Sequence, residues 1–199
     1  MKLGCIVLAA GKSARFGENK LLANLNGAPV LARTLRAVPR EAFETRVCVC
    51  ASAEVERLAN ACAFPVKRYP GGALSDSISA GLAEMPELDG IVFVNGDQPL
   101  LRRESLLRLT EAFAMNPQAV CRLAFGGAAA SPALFPAGMR NALEELRGEE
   151  GGMTAAKRSG AEIVCVEASC AAELWDTDDR AALRRAKEFL DANPTYERE

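Results

Sequence analysis

The chain has 199 residues, of which 49% are hydrophobic, and this is enough apolar material for the core of one domain. Its formal net charge of −2 and its pI near 5.5 give no electrostatic reason to expect a nucleic-acid partner. The sequence contains no histidine, which excludes His-dependent catalytic triads and the usual zinc hydrolase motifs.

Apolar runs rich in β-branched residues alternate with helical patterns along the whole chain. Strands are predicted at Leu3–Ala9, Arg46–Ala51, Val66–Tyr69, Ile91–Asn95, Ala119–Ala124, Ser131–Phe135 and Glu162–Val166. Helices are predicted at Pro29–Val38, Glu54–Ala61, Ser77–Met85, Glu104–Asn116, Met139–Leu146 and Asp179–Ala192. This alternation predicts an α/β fold, a three-layer α/β/α Rossmann-like sandwich with a mostly parallel mixed sheet, in a single domain spanning residues 1–199.

The pair Gly126-Gly127 interrupts the alternation between two predicted strands. Two adjacent glycines suit a tight turn, so the strand that follows is expected to run antiparallel to its neighbour.

The first predicted strand ends in a loop that combines small residues with positive charge. The small residues are Ala10, Gly11 and Ser13, and the cations are Lys12, Arg15 and Lys20. Closely approaching backbone N–H groups beside cations suit a nucleotide triphosphate. The loop matches neither the G-x-G-x-x-G fingerprint nor the Walker phosphate loop, and an ordinary exposed connection is the alternative.

A second polar turn, Gly96-Asp97-Gln98-Pro99, directly follows the predicted strand Ile91–Asn95. Ligands of parallel sheets bind beyond the carboxyl ends of strands, so Gly11 and Asp97 are expected to face one crevice. A carboxylate at the end of a central strand suits Mg²⁺, and the alternative is an aspartate that opens the turn.

Four segments carry a resemblance to a known family. They are L-A-A-G-x-S-x-R-F-G-x-x-K-L-L from Leu8, the G-D-x-P turn at Gly96, S-P-A-L-F-P at Ser131, and E-L-W-D-T at Glu173. Together they resemble the MobA-like nucleotidyltransferases, and are most similar to the molybdenum cofactor cytidylyltransferases and their relatives in molybdenum hydroxylase maturation. The resemblance runs through nearly the whole chain and implies a nucleotide-diphospho-sugar transferase-like fold.

The activity implied by this resemblance is the Mg²⁺-dependent transfer of CMP from CTP to the phosphate of molybdopterin or molybdenum cofactor, with release of diphosphate. It implies a molybdenum hydroxylase as a further partner. The charge balance and the lack of a signal peptide or a membrane-length apolar run predict a cytoplasmic protein with no nucleic-acid or membrane partner. Two alternatives stay open. One is nucleotidyl transfer to a sugar or polyol phosphate, and the other is a non-catalytic protein that binds or inserts the molybdenum cofactor.

The resemblance also assigns roles to residues. Catalytic roles fall to Arg15, Lys20 and Asp97, and metal binding to Asp97 and Asp176. Nucleotide contacts are assigned to Leu8, Ala9, Ala10, Gly11, Lys12, Ser13, Arg15, Lys20, Ser75 and Ser77. CTP is expected because the chain has Ala10 where the guanine-using relatives have Gly.

Some of these residues have structural alternatives. Ser75 and Ser77 can instead cap a helix. Thr177, which precedes two aspartates, reads as the N-cap of the last helix, and this competes with a metal role for Asp176.

The part expected to bind the acceptor departs from the family pattern. In the segment from Gly148 to Met153, Glu149 stands for an expected Asp and Met153 for an expected Arg. Cations that could hold an anionic pterin from this region are Arg140, Arg147, Lys157 and Arg158.

Seven cysteines occur without a C-x-x-C pair. Cys48 and Cys50 alternate with valines in one predicted strand, and Cys5, Cys121 and Cys165 lie in others. Core packing in a reducing compartment is expected, with a metal cluster as the alternative. The apolar run near the N-terminus reads as a strand and not as a signal peptide, and no apolar run approaches the roughly 20 residues that span a membrane.

Overall fold

The computed structural model describes residues 1–11, 16–17 and 19–196. Its strands, in chain order, are β1 (Leu3–Ala9), β2 (Asn24–Leu25), β3 (Ala28–Pro29), β4 (Thr45–Cys50), β5 (Val66–Arg68), β6 (Gly90–Asn95), β7 (Val120–Phe125), β8 (Ala128–Pro136) and β9 (Ile163–Glu167). Its α-helices are α1 (Val30–Ala37), α2 (Ala53–Ala61), α3 (Leu74–Leu82), α4 (Arg103–Met115), α5 (Arg140–Glu144), α6 (Gly152–Arg158) and α7 (Arg180–Ala192). Short 3-10 turns lie at Lys20–Leu22, Arg40–Ala42, Ala137–Met139 and Ala171–Leu174.

Seven of the strands form one sheet in the order β5-β4-β1-β6-β8-β7-β9, and β2 pairs with β3 in a separate short ladder. Within the sheet β8 is antiparallel to β6 and β7, while the other neighbouring strands pair in parallel. Gly126 and Gly127 form the turn before β8 with φ values of 58° and 84°, which glycine adopts readily. The predicted mostly parallel mixed sheet and the predicted hairpin are therefore confirmed.

Helices cover both faces of the sheet. On one face, α1, α2 and α4 pack against a cluster that includes Cys48 and Cys50. On the other face, α3, α5 and α6 pack against a cluster that includes Val47 and Val49. Because successive strand residues point to opposite faces, the alternation in β4 feeds both cores, and the three-layer sandwich is confirmed.

Two short elements escaped the sequence analysis, and they are the β2–β3 ladder and α6. Two adjacent glycines argue against a helix, yet α6 begins at Gly152. A Cβ atom at this position would lie 2.5 Å from the ring of Phe135. The glycine thus allows close packing of the helix on the sheet.

Helix α3 begins at Leu74, three residues before the predicted start at Ser77. The Asp76 side chain accepts a hydrogen bond from the Ala73 backbone N–H at 2.9 Å and closes the first turn. Neither Ser75 nor Ser77 provides the cap, so the capping alternative for these serines is wrong.

The cysteine prediction holds for the central strands and fails at the edge of the sheet. Cys5, Cys48, Cys50 and Cys121 are buried, whereas Cys165 is exposed. Strand β9 lies at the edge of the sheet, and the residues on one of its faces, Ile163, Cys165 and Glu167, are exposed. In the part of the chain that the structure describes, none of the helices is both long and apolar enough to cross a membrane.

Candidate nucleotide-binding site

A crevice of about 680 Å³ opens at the carboxyl ends of the central strands β1 and β6. This volume lies in the range of small-molecule sites in proteins. Its walls come from the loop after β1, the start of α3, the end of β6 and two later loops. They are formed by Leu8, Ala9, Ala10, Gly11, Lys20, Leu21, Gly72, Ala73, Leu74, Ser77, Asn95, Asp97, Glu149 and Asp178.

Most of the described residues that the sequence assigned to the nucleotide line this crevice. They are Leu8, Ala9, Ala10, Gly11, Lys20 and Ser77. Asp97, which the sequence assigned to catalysis and to the metal, lines the crevice as well. Ser75 is buried behind the wall, where its backbone N–H donates to the Gly148 carbonyl at 3.0 Å. Lys12, Ser13 and Arg15 lie outside the described residues.

Lys20 and Asp97 form an ion pair in the crevice, and their side chains are 12% and 14% exposed. The Lys20 ammonium also contacts Asp178 Oδ1 at 2.8 Å. Burial alone would lower the pKa of Lys20, but the two carboxylates outweigh it and raise the pKa above its usual value. Lys20 therefore carries a positive charge at neutral pH in the middle of the crevice.

Two threonines fix the backbone that presents Asp97. The Gly96 N–H donates to the Leu8 carbonyl at 2.9 Å, and the Thr34 hydroxyl donates to the Gly96 carbonyl at 3.0 Å. Both the N–H and the hydroxyl of Thr177 donate to the Asp97 carbonyl, each at 3.0 Å. The turn after β6 is thus held from α1 on one side and from the loop before α7 on the other.

The predicted N-cap role of Thr177 is wrong. Asp179 caps α7 instead, and its carboxylate accepts from the Ala182 N–H at 2.8 Å. Thr177 is 1% exposed because it lies against the Asp97 turn. Its side chain therefore joins the last loop to the site and leaves the cap to a residue two positions later.

Asp176 shares this region with Asp97. The residue has exposed surface, yet protein atoms crowd its carboxyl group and raise its pKa to about 6, and repulsion from the Asp97 and Asp178 carboxylates adds to this. Lys20 and a hydrogen bond with the Asn95 side chain act in the opposite direction. The two predicted metal ligands therefore lie close enough to repel each other.

The donors around Asp97 and Asp176 are oxygens, which are the ligands that Mg²⁺ takes. Within residues 1–11, 16–17 and 19–196, no group of three or more His, Cys, Asp or Glu side chains is arranged to hold a metal ion. Mg²⁺ usually binds through one or two carboxylates with phosphate oxygens and water, so these residues fit a metal that arrives with a nucleotide.

Four residues of the site were missed or misread in the sequence. They are Asn95, Glu149, Thr177 and Asp178. Asn95 gave a usable signal, because it is a polar residue that ends an otherwise apolar strand beside the Gly96-Asp97 turn. Asp178 gave none, since its contact with Lys20 joins residues 158 positions apart.

Three of the four cations that the sequence analysis proposed for the acceptor are engaged elsewhere. Arg140 donates to the Leu82 and Met85 carbonyls at 2.7 and 3.2 Å. Arg147 donates to the carbonyls of its own loop, and Arg158 pairs with Glu150 at 2.6 Å. None of the three lines the crevice.

The fold and the crevice define an α/β domain with a polar site at the carboxyl ends of its central strands. The model of the MobA-like NTP transferase domain matches residues 5–169 of the chain. The protein therefore belongs to this family of nucleotidyltransferases, and the resemblance seen in the sequence is confirmed.

Curated relatives of this chain are named for transfers that differ in the nucleotide and in the acceptor. A probable molybdenum cofactor guanylyltransferase of Pyrococcus horikoshii is 30% identical over 125 residues, which are 61% of this chain and 62% of that protein. A 2-C-methyl-D-erythritol 4-phosphate cytidylyltransferase of Dehalococcoides mccartyi is 31% identical over 130 residues, which are 60% of this chain and 56% of that protein. The chain thus spans less than two thirds of the length of these relatives.

Solved structures match the chain over almost its full length. A nucleotidyl transferase from Methanothermobacter thermautotroptrophicus is 25% identical with a TM-score of 0.82, and the match covers 96% of this chain and 99% of that one. A manganese complex of Rv0371c from Mycobacterium tuberculosis is 22% identical with a TM-score of 0.74, and covers 94% and 99%. The nucleotide-diphospho-sugar transferase fold expected from the sequence is confirmed.

Proposed function

We propose that the protein transfers CMP from CTP to the phosphate of molybdopterin or molybdenum cofactor, with Mg²⁺, and releases diphosphate. The observation that carries the proposal is the Lys20–Asp97 pair, which lies in a crevice at the carboxyl ends of β1 and β6. A fixed cation beside a fixed carboxylate suits a metal-bound triphosphate. Family membership supports the same reaction class.

The reaction needs charge neutralisation more than proton transfer. A phosphate oxygen of the acceptor forms a bond to the α-phosphorus of CTP, and the bond from that phosphorus to the bridging oxygen breaks to release diphosphate. An acceptor phosphate is already ionised at neutral pH, so the lack of histidine is no obstacle. Positioning and electrostatic stabilisation can supply the rate.

Lys20 supplies a point charge to the phosphates, and Asp97 with Asp176 would hold Mg²⁺. When bound, the metal neutralises charge on the phosphate oxygens. Triphosphate oxygens compete with the carboxylates of Asp97 and Asp178 for Lys20. Once the triphosphate has replaced Asp97 as the partner of Lys20, the Asp97 carboxylate would be available to the metal. By resemblance, Arg15 also contacts the phosphates.

Thr177 positions Asp97, so its hydroxyl should affect turnover. Replacing Thr177 by Val keeps the shape but removes one of two hydrogen bonds to the Asp97 carbonyl. We expect the free energy of unfolding to fall by about 1 kcal/mol in urea titrations, and turnover to fall several-fold. Thr177→Ser keeps the hydroxyl and should restore turnover.

The matched control for this variant is Thr110→Val, since the Thr110 hydroxyl bonds to the Leu107 carbonyl within α4 at 2.7 Å. It should leave turnover unchanged. Wild-type turnover in Thr177→Val would show that the hydroxyl does not position Asp97.

The preference for CTP rests on Ala9 and Ala10, which line the crevice. The methyl groups of Ala9 and Ala10 reduce the space for a base, and this supports cytosine, which is smaller than guanine. The related proteins divide on this point, since one is named a guanylyltransferase and another a cytidylyltransferase.

Replacing Ala10 by Gly tests the choice of base. Removal of the methyl group should raise kcat/KM for GTP relative to CTP by about tenfold, because a single methyl group in a tight pocket discriminates by about this much. Competition between the two nucleotides in one reaction measures the ratio. An unchanged ratio would mean that Ala10 does not select the base.

A polyol phosphate is the second candidate acceptor. The observation that favours it is the departure of the segment from Gly148 to Met153, whose Glu149 brings a carboxylate into the crevice wall. The relative from Dehalococcoides mccartyi is named for a polyol phosphate acceptor.

Diphosphate release from CTP and GTP tests the proposal, with and without Mg²⁺, against molybdopterin, molybdenum cofactor and 2-C-methyl-D-erythritol 4-phosphate. Release that requires CTP, Mg²⁺ and the pterin would support it. Release with the polyol phosphate alone would replace the acceptor. CTP binding without release for any acceptor would favour a cofactor-binding or insertion protein.

We further propose that residues 1–199 act as one domain, because the described strands of the main sheet and the helices on its two faces share continuous cores. All seven cysteines are free thiols, which supports action in a reducing compartment such as the cytoplasm.

A further inference from the structure

A second, smaller cavity of about 110 Å³ adjoins the crevice on the face of the sheet covered by α3 and α6. Leu8, Leu74 and Asn95 line both spaces, so the two are neighbours. Its remaining walls include Ile78, Phe93, Arg122, Ser131, Phe135 and Met153. The cavity has the volume of about three or four liquid water molecules, and therefore suits one group of a substrate rather than a whole one.

Arg122 is the one charged residue in this wall. Its Nε is buried and has no hydrogen-bond partner within the described part of the chain. A buried guanidinium nitrogen is normally paired, since an unmet N–H donor is unfavourable. Arg140, Arg147 and Arg158, which lie on the same side of the sheet, all have partners.

Strand register fixes how Arg122 lies relative to the crevice. Arg122 in β7 is opposite Ala133 in β8, and Ala133 is opposite Phe93 in β6. Residues opposite one another share a face of the sheet, so Arg122 lies about two strand spacings, or ~10 Å, from Phe93. Asn95 and Asp97 follow Phe93 toward the crevice.

The walls decide what the cavity accepts. Phe93 and Phe135 meet edge to face with ring centroids 5.6 Å apart, and Met153 and Ile78 complete an apolar lining. The polar side chains in this lining are Asn95, Ser131 and Arg122, so a polyol would place most of its hydroxyl groups against apolar walls. A flat conjugated ring loses few hydrogen bonds to water when it packs against these walls. The guanidinium group can then donate hydrogen bonds to an oxygen or a nitrogen at the edge of that ring.

We infer that this cavity is a subsite for the far end of the acceptor, in which Arg122 binds a hydrogen-bond-accepting oxygen or nitrogen at the edge of a conjugated ring. The inference rests on the proposed function and deepens it. It defines the acceptor class as a phosphate ester whose phosphate reaches the Asp97 region while a planar heterocycle extends toward β7. Arg122 then selects the acceptor and takes no part in binding the nucleotide.

Binding of pterin-6-carboxylate, followed by its fluorescence, tests the subsite without requiring turnover. Arg122→Met keeps an apolar stem of similar length and removes the guanidinium group. This variant should bind the pterin at least tenfold more weakly than the wild type. Arg122→Lys keeps the charge without the fork and should give an intermediate value. Binding of CTP to each variant should match the wild type, which also reports that the variants are folded.

The matched control is Arg158→Met, whose guanidinium pairs with Glu150 outside the cavity wall. It should bind the pterin as the wild type does. Equal pterin binding by Arg122→Met and the wild type, or no pterin binding by the wild type, would overturn the subsite. The binding measurement needs neither CTP nor diphosphate release. A failure of the proposed transfer would therefore be distinguishable, because the pterin would still bind while no diphosphate is released.

Discussion

Replacing Asp97 by Asn is expected to reduce turnover about 100- to 1,000-fold while the protein stays folded. The amide keeps the size of the side chain, and the Asp97 backbone stays held by Thr177 and by the Gly96 turn. What disappears is the charge that would hold the metal and that pairs with Lys20. Steady-state diphosphate release at saturating CTP measures the loss, and urea unfolding reports the fold.

Asp191→Asn is the control for this variant, since Asp191 lies on α7 in a surface pair with Lys187 at 3.2 Å. Exposed pairs of this kind contribute little to stability, and both turnover and unfolding should stay close to the wild type. If Asp97→Asn kept wild-type turnover with Mg²⁺, the role of Asp97 would be to form the turn after β6, and its assignment as a metal ligand would be wrong.

Replacing Lys20 by Met is expected to lower turnover about 100-fold, because it removes the cation that we propose for the triphosphate. The same change leaves Asp97, Asp176 and Asp178 without their shared counter-charge. We therefore expect this variant to bind Mn²⁺ more tightly than the wild type when no nucleotide is added. Titration of Mn²⁺ by electron paramagnetic resonance measures the free ion directly.

The opposite signs of these two effects separate a functional role from a structural one. A residue that merely supported the fold would lower both turnover and metal affinity. Lys67→Met is the control, because Lys67 pairs with Glu84 at 2.6 Å at the surface. It should change neither quantity. Unaltered Mn²⁺ affinity in Lys20→Met would mean that the carboxylates do not form the metal site.

Local patterns predicted most of the fold. The strand from Leu3 to Ala9 was predicted with its observed bounds, because a continuous apolar run between polar residues leaves little choice. Helix α6 was missed because its glycines disfavour a helix locally. The reason for Gly152 is the ring of Phe135, and this long-range contact is not visible in the sequence.

The site shows the same division. Asp97 was found because it directly follows a buried strand, and Lys20 because it belongs to the first loop. Asp178 and Thr177 were not recognised, since they act through contacts with Lys20 and Asp97 that are far apart in the chain. Arg122 was overlooked for a related reason. That its Nε is buried without a hydrogen-bond partner among the described residues can be recognised only from the three-dimensional structure.

The contact between Thr177 and the Asp97 turn sets an order of assembly. The last strand of the sheet ends at Glu167, so the whole sheet can form before the segment that carries Asp176 and Thr177 is in place. During synthesis from the N-terminus, the scaffold is thus available first, and the edge that carries the two proposed metal ligands is completed afterwards. Under the proposed function, a nascent chain that has already formed its core would not turn over nucleotide until the loop that carries Thr177 has closed over the Asp97 carbonyl.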